Sequence, residues 1–587
     1  MLQSAAWKIG GEQGQGIDSS GDLFARACNR LGYYVYGYKE FSSRIQGGHS
    51  NYKIRVGTSP VASTTSELHV LVAIDQETID RNAHELVDGG FIVADSAFGP
   101  AAPAGFRGRM IDAPISEIAR EAGNLRVRNV VALGVSAYLL GLPLEGFSDV
   151  LERAYGRHGE EVLRANQLAL SRGYAYAAEH VLGGRFELAP GDGKQRLLMI
   201  GNEAVAMGAL AAGCRVMAAY PITPASEIME WLQRELPKVG GVVVQAEDEI
   251  AALTTAIGAG IAGARAMTAT AGPGLSLMQE AIGLAQTAEV PVVIVDCQRG
   301  GPSTGMPTKH EQSDVLAALW GSHGESPRIV LAPSSAEEAF WDTVEAFNLA
   351  DRYQCPVFVM MDLSLSLNKQ TVEEIDFSRV RIDRGEIVSA EELAALGGKP
   401  FPRYRLTESG ISPRALPGQK GGQYVATGLE HDEFGKVSED PRNRRRMHEK
   451  RLGKVRGLSL PGVRYSGGER PEVLLVGFGS TAGPISEARK RLESSGIACG
   501  HAHVRVLAPF PAEELAPLVA EARSVVVVEN NATGQLETLM RVFMTRILGE
   551  KDGERRLFGV RKFDGRPFLP EEIARKVAEV LGVAKVG

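Results

Sequence analysis

No two of the five cysteines, Cys28, Cys214, Cys297, Cys355 and Cys499, form a Cys-x-x-Cys pair. Zinc and iron–sulfur sites use clustered thiolates, usually with one close pair, so the chain is expected to hold no cluster of its own. A dominant charge is also lacking. The net charge of −7 is small for 587 residues, which suggests neither nucleic acid nor an anionic membrane as partner. Long hydrophobic runs are missing too. The most apolar stretch, residues 253–278, is interrupted by Arg265 and is too rich in Gly and Thr to span a bilayer. Met1-Leu2-Gln3-Ser4 shows no basic region followed by an apolar core, so no secretory leader is expected and the expected location is cytoplasmic. What is present is the composition of a soluble globular protein, 44% apolar and 23% charged. The length suffices for roughly three to five domains.

The pattern along the chain is that of α/β domains. Residues 1–190 read as one. A strand at 6–9 runs into Gly10-Gly11-Glu12-Gln13-Gly14-Gln15-Gly16, and Leu23, Ala27 and Leu31 mark a helix over 18–31. Further strands are expected at 69–74 and 91–94, and helices over 148–182. A second domain, 195–370, has β-rich runs at 197–200, 216–220, 242–244, 290–295 and 356–361. Small-residue helices separate them, as in a doubly wound parallel sheet. Residues 371–468 lose apolar periodicity and read as an irregular connecting arm. Within it, residues 442–456 carry eight basic side chains against one acid, Glu449. That run is expected to be a solvated arm wrapping a partner subunit, with attraction of an acidic partner protein as the alternative. Residues 469–587 resume βαβ order, with strands at 473–476, 497–504 and 524–528 and helices at 484–495 and 534–548.

Two stretches carry most of the chemistry. In Tyr220-Pro221-Ile222-Thr223-Pro224 the prolines keep Ile222 and Thr223 extended, so Thr223 sits on a stiff loop past a strand's carboxyl end. In Glu247-Asp248-Glu249-Ile250-Ala251-Ala252-Leu253, Glu249 stands at the mouth of a helix of small and apolar residues. Such a dry wall favours a carboxyl that shares a proton. The competing reading is an N-terminal helix carboxylate facing the macrodipole, and Glu247 is the nearest rival. Arg299 follows a buried strand and precedes two glycines. A guanidinium there can grip a planar carboxylate bidentately, and a threonine hydroxyl adds an oriented donor. The alternatives are a structural ion pair for Arg299 and a turn hydroxyl for Thr223.

With Ala269-Thr270-Ala271-Gly272-Pro273-Gly274, Gln298-Arg299-Gly300-Gly301-Pro302-Ser303-Thr304-Gly305 and Pro307-Thr308-Lys309, these motifs resemble the α subunit of the 2-oxoacid:ferredoxin oxidoreductases. The likeness extends over nearly the whole chain, including an amino-terminal γ-type part fused ahead of α. It implies a γ-type domain, a pyrimidine-binding thiamine-diphosphate domain and a transketolase C-terminal-like domain that begins with Gly477-Phe478-Gly479-Ser480. It also implies CoA-dependent oxidative decarboxylation of a 2-oxoacid, or the reverse carboxylation, with ferredoxin as electron partner. 2-Oxoglutarate to succinyl-CoA is the first choice, with pyruvate or branched-chain 2-oxoacids as alternatives.

By the same resemblance Glu249 is the catalytic glutamate and Thr223 and Arg299 bind the substrate carboxylate. Tyr220, Pro221 and Ile222 join Glu249 at the cofactor. Lys309 or His310 is placed to meet a distal carboxylate. Gly14 and Gly16, with Arg44, Gly47, Gly48 and His49, serve coenzyme A or a subunit contact. The Gly11-x-x-Gly14-x-Gly16 spacing is not the dinucleotide fingerprint, although a phosphate at the following helix N-terminus is physically reasonable.

Gly191-Asp192-Gly193 mimics the start of a thiamine-diphosphate magnesium motif. Residues 213–223, where its asparagine would fall, contain none. The diphosphate and Mg²⁺ are therefore expected to be held elsewhere; the family resemblance implies that a β subunit holds them, together with a four-iron four-sulfur cluster, with the cofactor shared, in a heterodimer or dimer of heterodimers. The contiguous Glu430-His431-Asp432-Glu433 points its side chains apart, so no metal is expected on this chain. Two other classes are weighed. A self-sufficient thiamine enzyme conflicts with the missing magnesium motif. A non-catalytic scaffold conflicts with Glu249, Thr223 and Arg299 occurring together.

Overall fold

The computed structural model describes residues 1–42, 47–548 and 557–582. The chain packs as two units. The first comprises Met1–Met199, Asn368–Glu374 and Leu569–Glu571; the second comprises Ile200–Leu367, Ile375–Phe568 and Glu572–Gly587.

An eight-stranded sheet forms the first unit. Its order is Arg109–Ala113, Leu86–Asp95, Leu68–Ala73, Ser4–Glu12, His49–Gly57, Tyr34–Glu40, Gln370–Val372 and Leu197–Met199. The first four strands run parallel, and every pair beyond them is antiparallel. The doubly wound expectation thus describes half of this sheet. Its core forms where Trp7 stacks on Phe24 of the helix Ile17–Arg30 with ring centroids 4.3 Å apart. The run at 197–200 was expected to open the second domain. It is instead the edge strand Leu197–Met199 of this first sheet, paired with Gln370–Val372. A short apolar run encodes extension but not which distant edge it will join.

In the second unit a seven-stranded sheet has the order Val506–Ala508, Ile329–Leu331, Pro356–Asp362, Val292–Gln298, Ala266–Thr270, Val216–Ala219 and Val242–Gln245. All its pairings are parallel except that of Val506–Ala508. Val292–Gln298 and Pro356–Asp362 are buried at every position, as central strands covered on both faces must be. Helices Gly201–Ala211, Glu249–Ile261, Gly272–Thr287 and Ala336–Tyr353 accompany this sheet. A five-stranded sheet of the same unit orders Val463–Gly467, Cys499–Val504, Val473–Gly477, Ser524–Glu529 and Leu557–Arg561, and its apolar residues share a core with the seven-stranded one.

The stretch between them is largely irregular, with one correction. The basic run is not irregular but forms the helix Pro441–Gly453; Arg442, Arg444, Arg445, Arg446 and Arg456 are exposed as expected, whereas Lys450, Arg451 and Lys454 are buried. Asp440 caps it by accepting Asn443 N, and Pro441 stands in its first turn. Charge alone points to a solvated arm, yet Arg, Lys, Met and Glu are good helix formers. Its last turns go inward. Lys450 and Lys454 reach the buried Glu289 at 2.6 and 2.5 Å, and Arg451 pairs with Glu430 at 2.6 Å. Glu430 also takes Arg444, and His431 lies against Tyr404. Those residues are spent on packing, and among the described residues no metal-ligand cluster forms. Asp192 of the Gly191-Asp192-Gly193 stretch pairs with Arg196. No described helix is long and apolar enough to cross a membrane.

Candidate active site

Because Val216–Ala219, Ala266–Thr270 and Val292–Gln298 run parallel, their carboxyl ends share one edge of the sheet, where open α/β sheets gather ligands. The first strand delivers an exposed Tyr220, then Pro221 and Ile222, which are partly covered. Ile222 O accepts Ala225 N at 2.7 Å, so Thr223 rides a tight turn ahead of the helix Ser226–Glu235. Thr223 is exposed, and its hydroxyl has no hydrogen-bond partner among the described residues. Its carbonyl accepts Arg299 Nη1 at 2.6 Å.

Arg299 leaves the end of Val292–Gln298 only 7% exposed. Its Nε is buried without a partner, and among the described residues no carboxylate comes within ion-pair distance of it. Burial pushes the guanidinium pKa down, opposed by the charges of Asp314 and Glu249 nearby. A buried cation with one neutral carbonyl as partner is costly unless an anion completes the site.

Glu249 opens the helix Glu249–Ile261, whose end is capped by the preceding residue, Asp248 Oδ1 accepting Ala251 N at 2.8 Å. Asp248 satisfies that helix end, so Glu249 is free to turn inward, where it is 6% exposed. A Cβ on Gly274 would stand 2.7 Å from Glu249 Oε1 and 2.0 Å from Thr270 Oγ1. Only glycine lets the helix Gly272–Thr287 approach so closely. Glu247 is exposed.

The loop at 299–310 folds on itself, with Gly300 N donating to Lys309 O and Met306 N to Gly300 O. Lys309 is partly covered, and its ammonium has no ion pair among the described residues. His310 is sealed in, 1% exposed, with Nδ1 3.7 Å from Asp362 Oδ1. Of the two candidates for a distal carboxylate, only Lys309 is accessible.

Two carboxyls escaped the sequence reading. Asp296 lies on the central strand, fully buried, in register with Thr270. Burial and then the charge of Asp314 push its pKa well above the usual carboxylate range. Asp314 has its backbone N held by Gln298 Oε1 at 3.0 Å and its carboxylate against Gly272. Burial, with Glu311 adding, pushes its pKa up to about 7 against the pull of Arg299. The available signal was an acid inside an apolar run, Val295-Asp296-Cys297.

In the first unit the two glycine loops meet. Gln13 N donates to Gly48 O at 3.1 Å, and Glu12 pairs with His49 across antiparallel strands. Gly16 caps the helix Ile17–Arg30 at a φ of 80°, a left-handed conformation that favours glycine, and Gly14 and Gly47 are left-handed as well. His49 Nδ1 is buried without a partner. Arg44 lies outside the described residues.

Three family profiles match. "Pyruvate flavodoxin/ferredoxin oxidoreductase, thiamine diP-bdg" covers residues 207–450, "Pyruvate ferredoxin/flavodoxin oxidoreductase" covers 6–176, and "Pyruvate:ferredoxin oxidoreductase core domain II" covers 471–573. The chain is 32% identical to the 2-oxoacid:ferredoxin oxidoreductase subunit alpha of Sulfolobus sp, over 98% of this chain and 97% of that one. It is 30% identical to the 2-oxoglutarate oxidoreductase subunit KorA of Mycobacterium tuberculosis, over 99% and 92%. Among solved structures, the 2-oxoglutarate:ferredoxin oxidoreductase from Magnetococcus marinus, with 2-oxoglutarate, coenzyme A and succinyl-CoA bound, superposes with a TM-score of 0.91 at 36% identity. That alignment covers 99% of this chain and 100% of that one.

Proposed function

The chain belongs to the 2-oxoacid:ferredoxin oxidoreductases as an α-type subunit, and on that footing we propose that it works with a β subunit to convert 2-oxoglutarate and coenzyme A to succinyl-CoA and CO₂. The electrons released pass to ferredoxin, and the same site run backwards carboxylates succinyl-CoA. The observation that carries this reading is Arg299: a buried guanidinium with one carbonyl partner and no carboxylate is built to receive an anion. Thr223, with its free hydroxyl beside that carbonyl, adds the second donor. Lys309 supplies a cation for a distal carboxylate, which favours 2-oxoglutarate over pyruvate and branched-chain 2-oxoacids.

The residues fit a thiamine-diphosphate site. The carboxyl of Glu249 is buried at a helix mouth, and Gly274 lets the next helix lie directly against it. Thiamine diphosphate supplies, when bound, the nucleophilic carbon and electron sink that cleavage of a 2-oxoacid needs. Glu249 would hold a proton for the aminopyrimidine N1′, and Tyr220, Pro221 and Ile222 are assigned to the cofactor with it. Mg²⁺ and the four-iron four-sulfur cluster belong to the β subunit in this reading, in a heterodimer or dimer of heterodimers. The five isolated cysteines of this chain, all buried and free, support that division. Gly14, Gly16, Gly47, Gly48 and His49 are assigned to coenzyme A or a neighbouring subunit.

Arg299→Ala in the two-subunit enzyme is the test. A charge-assisted contact is worth about 1.5–3 kcal/mol, so kcat/KM for the 2-oxoacid should fall at least about tenfold. Hydrogen exchange at C2 of the bound cofactor, which needs no substrate, should keep its rate. Lys at this position should recover only part of the loss, because an ammonium cannot form the bidentate fork. Slowed exchange with an unchanged KM would remove Arg299 from the substrate carboxylate.

A further inference from the structure

Lys309 is supported from the five-stranded sheet. The loop that follows Leu557–Arg561 brings Gly565 against it: Gly565 O accepts His310 N at 3.0 Å, and a Cβ on Gly565 would stand 2.9 Å from Lys309 Cβ and 3.3 Å from its Cγ. Gly565 is buried at a φ of 81°, in the left-handed region, so both space and backbone favour glycine there. Just beyond Lys309, the fully buried Gln312 ties down the same segment. Its Nε2 donates to Asp362 Oδ2 at 2.9 Å and to Phe478 O at 3.1 Å, and its Oε1 accepts Asn530 N at 3.1 Å. Its backbone N donates to Asn530 O at 2.7 Å. Asp362 ends a strand of the seven-stranded sheet, while Phe478 and Asn530 directly follow strands of the five-stranded one. One glutamine thus joins the carboxyl ends of both sheets, with both amide hydrogens and the amide oxygen in use.

We infer that the five-stranded sheet sets which 2-oxoacid is accepted: Gly565 and Gln312 are positioning residues that fix where Lys309 meets a distal carboxylate. The inference rests on the substrate role proposed for Lys309. Arg299 has anchors of its own, since it leaves the central strand directly and bonds Thr223 O. Lys309 stands at the far end of the loop, where the bonds from Gly300 N to Lys309 O and from Lys309 N to Met306 O only close the loop on itself. A flexible four-carbon stem on such a loop would let the ammonium wander. Gly565 walls the base of that stem and Gln312 holds the segment behind it, so fewer conformations remain and less ordering is left to binding. A 2-oxoacid without a distal carboxylate gains nothing from this arrangement, which is what makes it a determinant of choice.

The test is steady-state kinetics of the two-subunit enzyme with 2-oxoglutarate and coenzyme A, for Gly565→Ala, Gln312→Asn, Lys309→Ala and the double variants that carry Lys309→Ala. Gly565→Ala puts a methyl group where the lysine stem lies. Gln312→Asn keeps the amide but is a methylene too short to reach all its partners. It disturbs the same lysine without touching the glycine's backbone, which guards against a folding defect peculiar to Gly565. Each should raise KM for 2-oxoglutarate by about tenfold or more, the range of a lost charge-assisted contact, with kcat and KM for coenzyme A near wild type. Added to Lys309→Ala, neither should raise KM further, because a residue that acts through Lys309 then has nothing to position. An unchanged KM in either single variant, or penalties that multiply in the double variants, would overturn the inference while leaving the proposed function standing. So would a fall in kcat with KM unmoved. An unchanged KM for 2-oxoglutarate in Lys309→Ala would remove the substrate role of Lys309 and the inference with it, and a wild type that turns over no 2-oxoacid would overturn the proposed function as well.

Discussion

Glu249 and Arg299 owe their proposed roles to opposite electrostatic situations, although both are buried on the same sheet edge. Glu249 is a buried carboxyl at a helix mouth, closely packed beside Gly274. Arg299 is a cation left unpaired, suited to accepting a charge. Glu249→Gln keeps the shape but cannot share the carboxyl proton. Its kcat should fall by about 10²–10⁴-fold with the cofactor still bound, as steady-state assay and cofactor retention on gel filtration will show. Near wild-type turnover would move the role to another residue. Both residues were legible in the sequence, because residue type, neighbouring motifs and position after a strand or at a helix mouth all point one way. Asp314 and Asp296 were not. What marks them is what they fail to bond to, and a missing hydrogen bond leaves no trace in residue spacing.

At the scale of elements, the helix Pro441–Gly453 shows where charge counting misleads. The eight basic residues of 442–456 look like solvent-facing surface, yet Lys450 of this helix and Lys454 just beyond it pass inward to Glu289. Burial pushes the Glu289 carboxyl up, but Lys454, Lys450 and Arg403 outweigh it and hold it well below the usual range. Glu289→Gln would strand two buried ammonium groups. Breaking a buried pair from one side costs about 3–5 kcal/mol, so a clear drop in Tm is expected by calorimetry, and an unchanged Tm would show that the cluster is solvated. Since the folded carboxyl is depressed, this stabilisation is present above the ordinary Glu range and is lost as pH falls through and below it. Strand legibility follows a related rule. The fully buried Val292–Gln298 and Pro356–Asp362 announce themselves as apolar runs. The sheet assignment of Leu197–Met199 depends on Gln370–Val372, far along the chain, and no local pattern encodes such a partner. Ala266–Thr270 was hidden because small residues and threonines fit a helix, a strand or a loop equally well.

The whole molecule is one half of a proposed machine. Its described residues provide a buried carboxyl, an unpaired guanidinium and a free threonine hydroxyl, but among them no cluster of metal ligands. In the proposed function the remaining chemistry is assigned to a partner chain, so the account stands or falls on the two chains acting together. The most direct measurement is ferredoxin reduction by the co-purified two-subunit enzyme, with coenzyme A, against 2-oxoglutarate, pyruvate and branched-chain 2-oxoacids in parallel. The account predicts reduction that requires both coenzyme A and a 2-oxoacid, with the highest kcat/KM for 2-oxoglutarate. Preference for pyruvate would contradict the role given to Lys309, and no reduction with any 2-oxoacid would contradict the account as a whole.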